Sequence, residues 1–302
     1  MQVRELASRI KKGDRIALAK GITLAENYPK RASELLALMG PPGKSFVVGI
    51  TGPPGTGKSS LVDRLIEAYR RNGLRIGVIA VDPSSPITGG ALLGDRIRMS
   101  DHAGDLNVFI RSMASRGWSG GLSRSTSQVI RLMDAAGFDI VLLETVGIGQ
   151  SDIEVVGVSH AVLVILMPGL GDDIQVSKAG LMEIGDIYVV NKSDLEGADM
   201  MVVSLLSIFR GSPASPPVLK VSALSGEGID RLHDAIEKIR GPFVRGSPEL
   251  RLKSIRGMIV ETARGAAMER LAGVSESKAE GLAKQVLAGT TTIESAAARL
   301  VP

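Results

Sequence analysis

Apolar residues in the first forty positions recur in helical steps. Leu6, Ile10, Ile16, Ala17 and Leu18 alternate with Arg and Lys, Asp14 can cap a second segment, and Leu35 to Met39 close a third. The pattern predicts a preface of short helices, broken by Pro41-Pro42-Gly43 ahead of a first strand. From Ser45 to about Arg240 the rhythm changes. Apolar runs stand near 46–51, 75–81, 106–111, 139–144, 161–167, 186–190 and 217–221, most of them separated by amphipathic segments. Near-continuous apolar strands alternating with helices predict an α/β fold, with a mostly parallel central sheet flanked by helices on both faces. Beyond Gly241-Pro242 the strands stop. Helical segments are expected over 250–271 and 275–287, followed by one begun by Thr291 with Glu294 three residues on, the spacing of a capping box. Ile255, Met258, Ile259 and Thr262 recur at helical spacing there, which suits packing on the chain's own domain or on a second subunit.

The stretch Gly52-Pro53-Pro54-Gly55-Thr56-Gly57-Lys58-Ser59 lies between the first apolar strand and the helix-like Ser60-Leu61-Val62-Asp63-Arg64-Leu65-Ile66. It reads as a phosphate-binding P-loop. Backbone N–H groups and a helix N-terminus face an anion, Lys58 reaches the β- and γ-phosphates, and Ser59 can ligate Mg²⁺. The predicted class is therefore a P-loop NTPase, organised as an N-terminal helical extension over 1–42, a P-loop GTPase domain over 43–240 and a C-terminal helical region over 241–302, a candidate dimerisation arm.

The base follows from Asn191-Lys192-Ser193-Asp194 after the strand near 186–190. The Asp194 carboxylate can accept from guanine N1–H and the 2-amino group, whereas adenine offers neither donor, so GTP/GDP is expected over ATP. Ser222-Ala223-Leu224 fits the loop whose backbone lies against the guanine. Between these motifs stand the candidate acids. Asp82 opens Asp82-Pro83-Ser84-Ser85, Glu144 opens Glu144-Thr145-Val146-Gly147, and Asp95 sits in Gly94-Asp95-Arg96. Each is an oxygen donor that can join Ser59 around Mg²⁺, and each could equally cap a helix or pair with a loop cation. Lys58, Asp95, Glu144 and Gly147 are the candidate catalytic residues. Ile148, not Gln, follows Gly147, and Gln150 comes later, so intrinsic hydrolysis is expected to be slow. The Gly147 N–H can sense the γ-phosphate, which would make Val146 to Ser151 a nucleotide-dependent switch.

The 302 residues contain no cysteine and three scattered histidines, which excludes disulfides and thiolate metal sites and leaves metal chemistry to oxygen. The net charge is +4, but Lys and Arg are dispersed and aromatics make up 3%, so no nucleic-acid partner is expected. The N-terminus lacks an apolar signal core, and no run approaches a membrane span, so no membrane partner and a cytoplasmic location are expected.

Together these motifs resemble the MeaB/ArgK family of methylmalonyl-CoA mutase-associated GTPases. The resemblance also rests on Gly13-Asp14-Arg15-Ile16-Ala17-Leu18-Ala19, Thr88-Gly89-Gly90, Leu93-Gly94-Asp95-Arg96-Ile97-Arg98-Met99 and Glu144 to Ser151, and covers roughly residues 10–240. It implies the broad GTPase class of signal-recognition and nickel-insertion proteins, homodimers formed through C-terminal helices, and a chaperone role. Such a chaperone gates adenosylcobalamin loading and protects or reactivates a cobalamin-dependent acyl-CoA mutase, usually methylmalonyl-CoA mutase. It further implies that Pro168 to Lys178 relays nucleotide state, with Asp172, Asp173, Gln175 and Lys178 as signalling residues. The chain departs from the family pattern at Asp152 and Asp173, where Glu is common, and at Trp118-Ser119-Gly120-Gly121. The alternative from another class is a P-loop kinase or transport-associated ATPase, against which Asp194 argues.

Overall fold

The computed structural model describes residues 2–82, 102, 104–114, 125–147, 151–169, 180–210, 215–272, 274 and 276–300. Three helices open the chain: α1 (Val3–Lys11), α2 (Arg15–Asn27) and α3 (Pro29–Ala37). Asp14 caps α2, accepting from the Ile16 and Ala17 N–H groups at 2.9 and 3.0 Å. Arg15 next to it donates to the carbonyls of Asp105, Leu106 and Val108 at 2.7–3.1 Å, which fastens the preface to the sheet margin. The Gly13-Asp14-Arg15 motif is thus a structural clamp.

Seven strands follow: β1 (Phe46–Thr51), β2 (Ile76–Asp82), β3 (Val108–Ala114), β4 (Ile140–Glu144), β5 (Ala161–Leu166), β6 (Ile187–Val190) and β7 (Val218–Lys220). All pair in parallel, in the order β3-β2-β4-β1-β5-β6-β7. Every residue of β1, β2, β4, β5 and β6 is buried, while β3 and β7, at the margins, are only partly so. Strand alternation divides the apolar side chains between two cores. Phe46, Val48 and Ile50 face α4 (Lys58–Arg71) and α8 (Ile229–Val244), whereas Val47, Val141 and Val164 face the preface, α5 (Ser125–Ala135), α6 (Ser151–Val158) and α7 (Ala198–Ile208). Ile10, Leu18, Ile22 and Leu35 are fully buried, so the preface is a layer of the domain.

Helix α8 runs through Gly241-Pro242 to Val244, past the expected break. Near a helix end the missing proline N–H removes one bond, and the chain continues. Then come α9 (Pro248–Ala272), α10 (Glu276–Leu287) and α11 (Ile293–Leu300). The last helix is capped one residue later than its sequence suggests: Thr292 Oγ1 accepts from Ser295 N–H at 3.2 Å, so the Thr291 and Glu294 capping box does not form. Helix α9 crosses α6 closely, and a Cβ on Gly257 would fall 1.7 Å from the Gly157 carbonyl oxygen. Met258 packs on the chain's own core, and Ile259 stays 64% exposed. Among the described residues no helix is long and apolar enough to cross a membrane.

His160 joins the sheet to α8. Its Nδ1 accepts from Val47 N–H at 2.9 Å, and its ring lies 5.3 Å from that of Phe46 and 4.3 Å from that of Phe243. Burial pushes its pKa from 6.5 down to about 4. The unfolded chain therefore takes up a proton below pH 6.5 that the folded chain refuses until pH 4. Stability from this group is complete above pH 6.5 and falls by about 3 kcal/mol by pH 4. Denaturation of His160→Gln, which keeps an acceptor for Val47 and cannot titrate, should lose about 2 kcal/mol less than wild type between pH 7.5 and 5. Equal losses would remove His160 as a source of acid lability.

Candidate functional site

The three motifs meet at the carboxyl ends of β1, β4 and β6, as the parallel order requires. The P-loop leaves β1 and turns into α4 at Gly57, whose φ of +88° only glycine adopts readily; a Cβ there would also fall 2.5 Å from Asn191 Nδ2. Thr56 Oγ1 donates to Pro53 O at 2.9 Å and braces the turn. Pro54 and Gly55 stand exposed at the tip, and Ser60 is exposed on the first turn of α4.

Lys58 is buried, and its ammonium donates to Gly52 O at 2.8 Å, Pro53 O at 3.1 Å and Val146 O at 3.4 Å. One cation therefore ties the P-loop to the segment after β4. Gly147 packs on the same atoms: at φ +82° it approaches so closely that a Cβ would lie 2.0 Å from Gly52 O and 2.7 Å from Lys58 Nζ. Ser59 Oγ donates to Glu144 Oε1 at 2.7 Å, and both side chains are buried. Asp82 is buried at the end of β2, two positions past the register partner of Glu144. The donor set is all oxygen, which suits Mg²⁺, an ion that takes one or two carboxylates and completes its shell with phosphate and water. Asp95, Trp118, Gln150 and the residues of the relay from 170 to 178 lie outside the described residues.

Asn191 holds the two ends of the cleft together. Its Nδ2 donates to Thr56 O at 2.8 Å and its Oδ1 accepts from Ala223 N–H at 3.0 Å. Asp194 Oδ1 accepts from Ser222 Oγ at 2.8 Å. Lys192, between them, has φ +57°, which turns the loop back across the strand end. The cavity beside these residues has a volume of about 350 Å³ and is lined by Ser60, Asp63, Arg64, Lys192, Asp194, Ala223 and Leu224.

Some residues at the cleft carried no local signal. Arg64 donates to Ala223 O at 2.8 Å and Leu224 O at 2.9 Å, fixing the loop from α4. Thr145 Oγ1 donates to Thr51 Oγ1 at 2.9 Å and couples the ends of β4 and β1. Asp63 lies 3.0 Å from His102; burial raises its carboxyl above the usual range and the imidazole opposes the shift. A Ser or Thr after a strand, or an Arg one turn into a helix, is too common to be singled out from sequence.

The family model described as "Methylmalonyl Co-A mutase-associated GTPase MeaB" matches residues 18–270. A candidate GTPase of Pyrococcus abyssi is 49% identical over 257 residues, covering 82% of this chain and 79% of its own. GTPase ArgK of Escherichia coli is 41% identical over 245 residues, covering 77% and 74%. The solved structure of a LAO/AO transport system kinase superposes with a TM-score of 0.73 at 26% identity, covering 99% of this chain and 96% of that one.

Proposed function

The chain belongs to the MeaB family of methylmalonyl-CoA mutase-associated GTPases, and from that premise we propose that it is a guanine-nucleotide switch serving an adenosylcobalamin-dependent acyl-CoA mutase, methylmalonyl-CoA mutase above all. In this role it gates cofactor loading and protects or reactivates the mutase. It works in the cytoplasm as a homodimer through its C-terminal helices.

One observation carries the reading: Lys58 bonds at once to the P-loop carbonyls and to Val146 O. A β- or γ-phosphate competes with those carbonyls for the ammonium, so occupancy of the P-loop bears directly on the segment that leads into α6. Gly147 lies close enough to Gly52 and Lys58 to register the γ-phosphate through its backbone. Helix α6 in turn packs on α9, so a shift that reaches α6 has a route to the C-terminal helices.

Within this reading Gly52 to Ser60 hold the phosphates, and Asn191, Lys192, Asp194 and Ser222 to Leu224 hold the guanine. Ser59, Asp82, Glu144 and Asp95 would hold Mg²⁺, which neutralises phosphate charge when bound. Glu144 orients the Ser59 hydroxyl, and the water-excluding wall is the buried end of β4. Without Gln after Gly147 the chain hydrolyses GTP slowly by itself. Turnover with Mg²⁺ is expected to be confined to GTP and to rise about tenfold or more when a stoichiometric adenosylcobalamin-dependent mutase is added. ATP turnover indifferent to the mutase would overturn the switch and favour a kinase or transport ATPase.

A further inference from the structure

We propose that Asp63, oriented by His102, recognises the ribose hydroxyls and lets the cleft select ribonucleotides over deoxyribonucleotides. The inference rests on the guanine-nucleotide reading of the cleft. With phosphate over Gly52 to Ser59 and base against Asp194, the sugar must cross the interval between them. That interval is the cavity of about 350 Å³, and the side chains that α4 contributes to it include Ser60 and Asp63, three residues apart on one helix face. Ser60 stands at the phosphate end. Asp63 stands one turn further toward the base.

The carboxylate is held for the task. Asp63 Oδ1 is buried 3.0 Å from His102 Nε2, so the ring limits how the carboxylate can turn. His102 is itself fixed to α4: its carbonyl accepts from Asp105 N–H at 3.1 Å, and Asp105 pairs with Arg70 at 2.6 Å, two turns beyond Asp63. The adjacent cation, Arg64, spends its guanidinium on Ala223 O, Leu224 O and Glu67. Asp63 keeps 25% of its side chain exposed and lines the cavity. An ionised carboxylate is acceptor-only, and in this interval a nucleotide presents two neighbouring donors, the 2′- and 3′-hydroxyls. Each such charge-assisted bond is worth about tenfold in affinity.

The test titrates GDP and 2′,3′-dideoxy-GDP against wild type, Asp63→Ala, Asp63→Asn and His102→Gln. Wild type should prefer GDP by about tenfold or more. Asp63→Ala should bring the ratio close to one by weakening GDP alone, and Asp63→Asn, isosteric and uncharged, should fall between. His102→Gln should lower the ratio while leaving dideoxy-GDP binding as it was, which marks His102 as a positioning residue. An unchanged ratio in both Asp63 variants, or equal weakening of both ligands, would overturn the assignment of Asp63 alone. The isosteric Asn variant keeps the comparison decisive if the alanine variant fails to fold. Wild type that does not bind GDP, or binds ADP as well, would overturn the guanine reading and this inference with it.

Discussion

Lys58→Ala should lower the affinity for GTP and GDP by about 100-fold. The ammonium is buried at the N-terminus of α4, within 3.4 Å of three backbone carbonyls that ring the phosphate cradle. A phosphate oxygen bonded by this cation and by backbone N–H groups gains a charge-assisted bond in a site shielded from water. Such a bond contributes about 1.5–3 kcal/mol, and the variant also loses long-range attraction for a polyanion. The helix dipole and the loop N–H groups remain, so binding is weakened and not abolished. Titration with a fluorescent guanine nucleotide reads the loss. Because water can enter the space the ammonium leaves beside the Gly52, Pro53 and Val146 carbonyls, the variant should melt within a few degrees of wild type. Retained affinity would show that the loop does not hold phosphate.

The same variant bears on switching. In wild type the cation is shared between the P-loop and Val146, and its removal frees the segment after β4 from the nucleotide site. Stimulation by a mutase should therefore fall further than binding alone accounts for, when measured at saturating GTP. This separates Lys58 from residues that hold the base, whose loss changes affinity without loosening the segment.

The central strands were legible because burial on both faces demands continuous apolar runs, and β1, β2, β4, β5 and β6 lie within a residue or so of where those runs predict them. The margins were less so. The run near 106–111 suggested a strand from Leu106, yet Leu106 is 76% exposed and the strand spans Val108–Ala114. Its later residues, Arg111 and Ser112, pair with Ile79 and Ala80 through the backbone, which needs no apolar side chain. That Gly52 to Ser59, Glu144 to Gly147 and Asn191 to Asp194 would stand at strand ends was legible too, because a continuous apolar run leads into each. What binds those motifs together was not. Asn191 bridging Thr56 to Ala223, Arg64 gripping the Ala223 and Leu224 carbonyls, and His102 facing Asp63 all depend on strand order, which places β1 between β4 and β5. No local pattern encodes that order. The Gly13-Asp14-Arg15 stretch shows the converse: part of a family resemblance, it turns out to clamp the preface to carbonyls just before and at the first residue of β3.

Asp194→Asn is expected to exchange guanine for xanthine selectivity. The loop that carries residue 194 is held by other groups. Asn191 bonds to Thr56 O and Ala223 N–H, and Ser193 N–H donates to Val221 O at 3.0 Å. The backbone should therefore keep its place in the variant. Ser222 Oγ donates to Asp194 Oδ1 at 2.8 Å, and an asparagine offers the same acceptor only by turning its carbonyl toward Ser222. That orientation leaves the amide N–H₂ on the side where wild type presents its second carboxylate oxygen. Guanine meets that side with its 2-amino donor, so two donors face one another and each lacks a partner, while N1–H, which both bases carry, can share the amide oxygen. Xanthine carries a 2-oxo acceptor in place of the amino group and completes the bond. A buried donor left unmatched costs about 1–3 kcal/mol, and the lost charge adds to it, so GTP binding should fall by about 100-fold. XTP binding should rise by a comparable factor, inverting the preference. Competition of GTP and XTP for one labelled nucleotide measures both changes in a single titration. In Lys58→Ala the two nucleotides should weaken together, because phosphate contacts do not distinguish the bases. Persistence of wild-type GTP preference in Asp194→Asn would mean that the base is read elsewhere, and the cavity beside Asp63 and Leu224 would lose its assignment as the nucleoside site.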